Sequence, residues 1–258
     1  MVPLSLGWNL FAPAGVSLSR MAQRSAISRW LVRFHAGDSR LKRATLRLSY
    51  YAFIILPYPL RRLASAAFII SVLAVKRLTG VERRNELTPL DEVGTLSFWR
   101  VPEVDVHSFS LTIDGAVGHP LVLRYDQLLE MPAVEREVRM DCVGGFRNNT
   151  VMKGVPLSHL IDLTEVHDTA RRAVFHCADG YRETIPLVEL LQHEAFLVYS
   201  VNGAYVEKLG YPLRLAIPGK YGYKWAKWVQ RLEFVADERK GYWEARGLPD
   251  RANVGDVW

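Results

Sequence analysis

Cys142 is one of two cysteines in a chain of 258 residues, and it opens the sequence Cys142-Val-Gly-Gly-Phe-Arg147. A thiolate can act as a nucleophile or as a soft metal ligand. Gly144 and Gly145 would let the backbone come close to a bulky ligand. The sulfur therefore has three interpretations: an inert buried thiol, a nucleophile helped by His176, or a metal ligand.

Residues 210–228 form a second stretch that could bind a ligand, because they combine glycines, cations and aromatic rings. Arg214 alternates with apolar residues of a predicted strand and should face away from them. Gly222, Lys224 and Lys227 follow among tyrosines and tryptophans. Glycine-rich backbone with cations can hold phosphate, and aromatic faces can cover a flat ring system. A solvent-exposed charged loop and an RNA-binding patch are the alternatives.

The sequence has no CxxC pair, no HExxH motif and no closely spaced histidine pair. A metal held wholly by side chains is therefore disfavoured, and a bound metal would need a non-protein group to supply most of its ligands. Two cysteines, Cys142 and Cys177, cannot form a disulfide framework. The cysteine pattern also lacks the motifs that attach haem or iron–sulfur clusters, so a redox reaction would need a separate electron partner.

Short alternating segments must position these residues. Residues 134–140 are predicted to form a strand that ends at Cys142, and residues 196–201 a strand that turns at Asn202-Gly203. Strands and short helices are interspersed without a regular βαβ rhythm, which predicts an α+β fold with much irregular coil. We assign residues 97–258 to this domain and residues 81–96, rich in charge with Gly and Pro, to a linker.

The N-terminal residues 1–80 are strongly basic. They carry twelve Lys and Arg and one acid, Asp38, for a net charge of +11, whereas the remaining residues carry 21 basic and 26 acidic side chains, for −5. This asymmetry favours a membrane surface, a targeting function or an acidic partner for the extension, and disfavours nucleic acid as a partner of the body. Residues 1–37 have the composition of an organelle transit peptide or of a basic bacterial extension.

Two apolar runs, residues 50–60 and 63–75, flank Arg61-Arg62. Each run is shorter than the roughly 20 residues that cross a bilayer, so a simple span is not expected. The alternatives are a helix lying in the membrane interface and a helical hairpin packed on the body. No export signal is evident, so we expect a cytoplasmic or membrane-associated protein, with organelle targeting as the alternative.

Taken together, the blocks Cys142-Val-Gly144, Gly210-Tyr-Pro-Leu-Arg214 and the residues up to Trp228 resemble the sulfite-oxidase-type molybdopterin oxidoreductases. That family also includes bacterial catalytic subunits that reduce methionine sulfoxide. The resemblance covers about residues 95–245. It implies a molybdopterin-binding fold of mixed sheets, short helices and coil, here with a basic helical N-terminal extension.

The resemblance also implies roles for individual residues. Cys142 would be the protein ligand of molybdenum, Tyr199 would match the active-site tyrosine, and Arg100 and Arg147 would contact substrate, so these four are the candidate catalytic residues. The candidate residues for binding the cofactor are Phe98, Trp99, Arg100, Cys142, Cys177, Arg214, Gly222, Tyr223, Lys224 and Lys227. For Cys177, an inert buried thiol is an equal alternative.

Three positions depart from the family pattern. Gly145 and Phe146 stand where sulfite oxidases have Asn and Arg, which removes a positive charge from the expected anion pocket. Leu209 stands where relatives place a His or Asn against the pterin. The chain also ends soon after Trp243, without the C-terminal domain through which sulfite oxidases dimerise, so a monomer is expected.

The resemblance implies two-electron oxo transfer on sulfite or a small S- or N-oxide by the molybdenum–molybdopterin cofactor. Electrons would pass to or from a separate partner, either a membrane cytochrome or a soluble one. Two other functions stay open: a non-catalytic carrier or assembly subunit for the cofactor, and a membrane-surface binding module that uses residues 1–80.

Overall fold

A computed structural model describes residues 33–37, 39–81 and 85–257. Most of the predicted targeting segment, residues 1–37, lies outside the described residues. The helices are α1 (Arg40–Ile54), α2 (Tyr58–Thr79), α3 (Tyr125–Glu130), α4 (Leu157–Thr164) and α5 (Leu187–Gln192). The strands are β1 (Ser110–Gly115), β2 (Leu121–Arg124), β3 (Val134–Asp141), β4 (Arg147–Pro156), β5 (Arg172–Cys177), β6 (Arg182–Pro186), β7 (Phe196–Val201), β8 (Arg214–Ala216) and β9 (Val229–Val235).

The strands form two sheets. One has five strands in the order β2-β1-β9-β5-β6, and the other has four in the order β3-β4-β7-β8. The β1–β9 pair is parallel and the other named pairs are antiparallel. Two mixed or antiparallel sheets with short helices between strands confirm the predicted α+β class.

A single large apolar cluster joins the two sheets. In β1, Leu111 and Ile113 alternate inward and are fully buried, as the period of a half-buried strand requires. Strand β7 is buried along its whole length because β4 and β8 flank it. After β7 the chain turns at Asn202 and Gly203, whose φ values of 50° and 75° are the left-handed conformations that this pair was predicted to adopt.

The N-terminal helices begin and end at positions that differ from the two predicted apolar runs. Helix α1 ends at Ile54 and α2 starts at Tyr58, because proline fits a helix in its first turn and Pro57 and Pro59 lie there. Arg61-Arg62 therefore lies inside α2 and does not separate two elements. Among the described residues, α2 is the one helix long and apolar enough to cross a membrane, so the length argument against a span does not apply to it.

The predicted linker packs against the body. Thr88 donates its backbone N–H to the carbonyl of Asn149 at 2.7 Å, and Gly94 donates to Asn148 Oδ1 at 3.0 Å. Val93, Gly94 and Thr95 are buried. These contacts bring the residues just after α2 alongside β4 and close to Cys142.

Candidate cofactor site

Cys142 lies in the tight turn between β3 and β4. Its N–H donates to the Phe146 carbonyl at 3.0 Å, and Gly145 donates to the Cys142 carbonyl at 3.1 Å. Gly145 has φ of +94°, a conformation that glycine adopts without strain. The Gly144 N–H lies 3.3 Å from Cys142 Sγ. The backbone hydrogen bonds therefore hold the turn, and the Gly144 N–H contacts the sulfur itself.

The Gly222 loop packs directly against this turn. A Cβ at Gly222 would lie 2.7 Å from Met140 Sδ and 3.6 Å from Cys142 Cα. Tyr221 forms a β-bridge with Asp141, the residue before the cysteine. The structure thus brings together the two stretches in which the sequence places its ligand-binding residues, although 80 residues separate them.

Arg214 lies in β8, a short way before Gly222 in the chain, and its side chain is buried. Its Nη1 donates to the Leu209 carbonyl at 2.8 Å, while its Nε has no hydrogen-bond partner. Burial alone lowers the pKa of Arg214 to about 10. A buried guanidinium with an unsatisfied N–H favours an anion beside it, so Arg214 suits the phosphate or pterin of a bound cofactor.

Lys227 lies between Arg214 and the linker. It forms a β-bridge with Arg214, and its Nζ donates to Thr95 Oγ1, the Leu96 carbonyl and Ser97 Oγ at 2.8–3.1 Å. Leu96 also reaches the turn, since a Cβ at Gly144 would lie 2.7 Å from Leu96 Cδ1. The linker therefore occupies the space between Lys227 and the cysteine turn.

Both thiols are buried and both lie near Lys227. Burial raises the pKa of Cys142, while the Gly144 N–H and the charges of Lys76 and Lys227 oppose that rise. Burial raises the pKa of Cys177 well above its usual value, and Asp179 adds to the effect. A metal cation or another electrophile would be needed to hold the Cys142 sulfur as a thiolate at neutral pH. No group of three or more His, Cys, Asp or Glu among the described residues could hold a metal ion, so the ligands around Cys142 would come from the cofactor.

Lys224 is engaged elsewhere in the structure. Its Nζ lies 2.6 Å from Glu244 Oε1, 3.0 Å from Glu183 Oε1 and 3.5 Å from Asp250 Oδ1. Burial, followed by the charge of Glu183, raises the pKa of Glu244 to about 8. Tyr223 is buried beside this group and donates its hydroxyl to the Pro249 carbonyl at 2.8 Å. Lys224 is thus held by the acidic side chains of Glu183, Glu244 and Asp250, and its contact with a cofactor stays a prediction.

The candidate residues Phe98, Trp99 and Arg100 lie just after the predicted linker. Arg100 forms an exposed ion pair with Glu103. Trp99 is partly exposed to solvent, and the guanidinium carbon of Arg47 lies 5.0 Å from the centre of its ring. Phe98 packs against the ring of Trp243 at 5.2 Å. None of these contacts reaches Cys142, so the roles assigned to these three residues remain predictions.

Arg147 and Tyr199 lie in two different clefts. Arg147 Nε donates to Asp141 Oδ1 at 3.0 Å, and both residues line a cavity of about 420 Å³ together with Arg136 and Gly219. Tyr199 lines a separate cavity of about 220 Å³ with Glu135, Val151, Lys153, Ser200, Gly203 and Tyr205. Cys142 is not among the lining residues of either cavity.

Lys76 is a site residue that the sequence analysis did not identify. It lies on α2, and its Nζ is 2.9 Å from Asp141 Oδ1. The sequence does contain an indication of this burial. Positions 69, 73 and 76 recur at helical spacing, which places Lys76 on the same helix face as Ile69 and Leu73. The lysine therefore belongs to the buried stripe of the helix.

Comparisons with known proteins point to one family. The model of the "Oxidoreductase molybdopterin binding domain" matches residues 98–243. The uncharacterized oxidoreductase YuiH of Bacillus subtilis is 30% identical over 156 residues, covering 60% of this chain and 77% of that protein. The putative protein-methionine-sulfoxide reductase subunit YedZ1 of Azospira oryzae is 32% identical over 148 residues, covering 57% and 56%.

A solved structure agrees with this assignment. The sulfane dehydrogenase SoxCD of Paracoccus pantotrophus matches with a TM-score of 0.50 and 26% identity, covering 53% of this chain and 40% of that one. The chain thus spans about three quarters of YuiH and just over half of YedZ1. These matches confirm the predicted sulfite-oxidase-type fold and the prediction of a molybdopterin-dependent oxidoreductase. Since the family match includes both the Cys142 turn and the Gly222 loop, this chain belongs to the oxidoreductase molybdopterin-binding domain family.

Proposed function

We propose that this chain binds the molybdenum–molybdopterin cofactor and reduces a small S-oxide or N-oxide with electrons from a separate partner. The observation that carries the proposal is the packing of the Gly222 loop against the Cys142 turn. Arg214, buried with an unsatisfied Nε, adds a cation to the same C-terminal stretch. Cys142 would be the protein ligand of the metal, and Arg214 and Lys227 would bind the anionic part of the cofactor. The bound cofactor would supply two-electron oxo transfer.

A neutral oxide suits this site better than sulfite. Gly145 and Phe146 carry no charge, and the guanidinium of Arg147 is already paired with the buried carboxylate of Asp141. An anionic substrate would have to compete with that carboxylate, whereas the polarised S–O or N–O oxygen of a neutral oxide needs a hydrogen-bond donor. Burial, Tyr205 and Glu135 raise the pKa of Tyr199, so its hydroxyl keeps the proton that it would donate.

Residues 1–80 support a further proposal, contact with a membrane surface. One face of α2 exposes large apolar side chains, at Leu60, Leu63, Phe68, Ile70, Val75 and Leu78. Arg61, Arg62 and Arg77 on the same helix could face anionic headgroups. We propose that α2 lies in the membrane interface with its opposite face on the body, which would place the domain beside a membrane-bound electron partner.

Turnover by cofactor-loaded protein tests the proposed activity. Purified protein with measured molybdenum and pterin is assayed with methionine sulfoxide, trimethylamine N-oxide and sulfite, each with an artificial electron donor or acceptor. We expect reduction of an oxide and little oxidation of sulfite. Loaded protein that converts none of them would instead support the carrier or assembly role, and protein that takes up no molybdenum would contradict both.

A vesicle assay tests the membrane proposal. Co-sedimentation is measured with vesicles of neutral lipid and with vesicles containing an anionic lipid. We expect binding to the anionic vesicles that falls with salt and with Phe68→Asp, since charge and apolar area act together. Equal recovery with and without vesicles would contradict it.

A further inference from the structure

Helix α2 lies outside residues 98–243, the part that matches the family model, yet it contacts the centre of the site. Lys76 Nζ lies 2.9 Å from Asp141 Oδ1, and both side chains are 3% exposed. Asp141 directly precedes Cys142 and also accepts from Arg147 Nε at 3.0 Å. A buried carboxylate shared by two cations holds the backbone on the N-terminal side of the cysteine in one position.

The apolar face of α2 contacts both halves of the site. Ile69 is 2% exposed and clusters with Tyr221, Tyr223 and Ala252 on the Gly222 loop side. Val72 faces the cysteine turn, since a Cβ at Gly145 would lie 4.0 Å from Val72 Cγ1. Helix α2 therefore packs across the contact between the Cys142 turn and the Gly222 loop.

We propose that α2 forms a wall of the cofactor site, in which Lys76 is a positioning residue that holds the Cys142 turn through Asp141 and Ile69 shields the turn from solvent. The identity of the site rests on the proposed function, but the wall itself is a property of the protein without cofactor. The N-terminal region is then part of the functional unit and more than a targeting or membrane segment. Movement of α2 would change access to Cys142.

Two adjacent isoleucines offer a matched test of the wall. Ile69 is 2% exposed and Ile70 is 55% exposed, so Ile69→Asn should loosen the packed face and Ile70→Asn should not. The rate at which N-ethylmaleimide modifies each cysteine is measured by peptide mass spectrometry in the full chain without cofactor. We expect Ile69→Asn to raise the rate at Cys142 by about tenfold through local opening, with Cys177 unchanged as the internal control. Equal rates at Cys142 in the two variants, or a parallel rise at both cysteines, would overturn the proposal.

Hydrogen exchange tests the positioning role without changing the apolar face. Lys76→Met removes the ammonium group, and Arg77→Met is the control because Arg77 is exposed on the same helix. We expect the amides of Cys142 and Gly145 to exchange about tenfold faster in Lys76→Met and at the wild-type rate in Arg77→Met. Unchanged exchange in Lys76→Met would refute the role of Lys76. Neither measurement uses molybdenum, so a negative result here is distinct from a failure to bind cofactor.

Discussion

Gly222 lies so close to Met140 that a Cβ at position 222 would stand 2.7 Å from the methionine sulfur. Met140 is buried, so the methyl group of Gly222→Ala must displace either the Met140 side chain into its packed surroundings or the loop from β3. We expect this variant to lose most of its molybdenum and to be destabilised by about 1–3 kcal/mol, the usual range for overpacking. Metal analysis and denaturant unfolding measure the two effects.

Met140→Ala provides the matched control for that substitution. Truncation removes the sulfur that the new methyl group would meet, so the double variant should retain more molybdenum than Gly222→Ala alone. Additive losses in the two single variants would show that the contact does not govern loading.

Arg214→Met separates cofactor binding from folding. The guanidinium is buried with an unsatisfied Nε, so its removal relieves a desolvated charge and loses one hydrogen bond to the Leu209 carbonyl. In protein without cofactor we expect the free energy of unfolding to change by no more than about 1 kcal/mol, because these terms oppose each other. Pterin and molybdenum content should fall by about tenfold or more, as expected for the loss of a charge-assisted hydrogen bond. A large loss of stability with normal cofactor content would contradict the assignment.

Tyr199→Phe tests the predicted catalytic role of the hydroxyl. Tyr199 is buried at the wall of its cleft, whereas Tyr205 lines the same cleft and is 59% exposed. We expect Tyr199→Phe to lower kcat by about 10²-fold, the size typical of a lost transition-state donor, with molybdenum content unchanged. Tyr205→Phe should retain turnover. Equal kcat in wild type and Tyr199→Phe would remove Tyr199 from the mechanism.

Glu244 makes stability depend on pH. Its folded-state pKa of about 8 lies above its ordinary value of 4.5, so the folded protein keeps a proton that the unfolded chain releases. The contribution of this group to stability is therefore present at low pH and is lost as pH rises from about 4.5 to about 8. We expect the free energy of unfolding to fall through this window, with a slope of at most about 1.4 kcal/mol per pH unit from this group.

Glu244→Gln should flatten that dependence, because the amide cannot ionise. Glu130→Gln, an exposed position on α3, serves as the control and should keep the wild-type slope. Urea unfolding at several pH values measures both. A slope in Glu244→Gln equal to that of the wild type would show that Glu244 is not the titrating group.

Local features of the fold could be predicted from the sequence. The strand before Cys142 and the turn at Asn202-Gly203 each follow from short-range rules of pattern and turn residues. The order of the strands was not predicted, because pairs such as β1 with β9 join segments that are far apart in the sequence.

Long-range charge pairing could not be predicted in the same way. Lys76 and Asp141 are 65 positions apart, and Lys224 meets Glu183 and Glu244 only after the loops pack. The start of α2 was also missed, because Arg61-Arg62 indicated a break, although long charged side chains in a first helical turn can reach solvent while the helix continues.

The most direct test of the account is the molybdenum content of Cys142→Ser, with Cys177→Ser as the matched control. A hydroxyl is a poorer ligand than a thiolate for a soft or high-valent metal, and Cys142 alone lies in the turn that the Gly222 loop covers. We expect wild-type protein to bind about one molybdenum per chain, and Cys142→Ser to lose the metal or to shift its sulfur-to-metal absorption, while Cys177→Ser keeps both. Wild-type metal content and an unchanged spectrum in Cys142→Ser would contradict the central claim that this sulfur binds the metal.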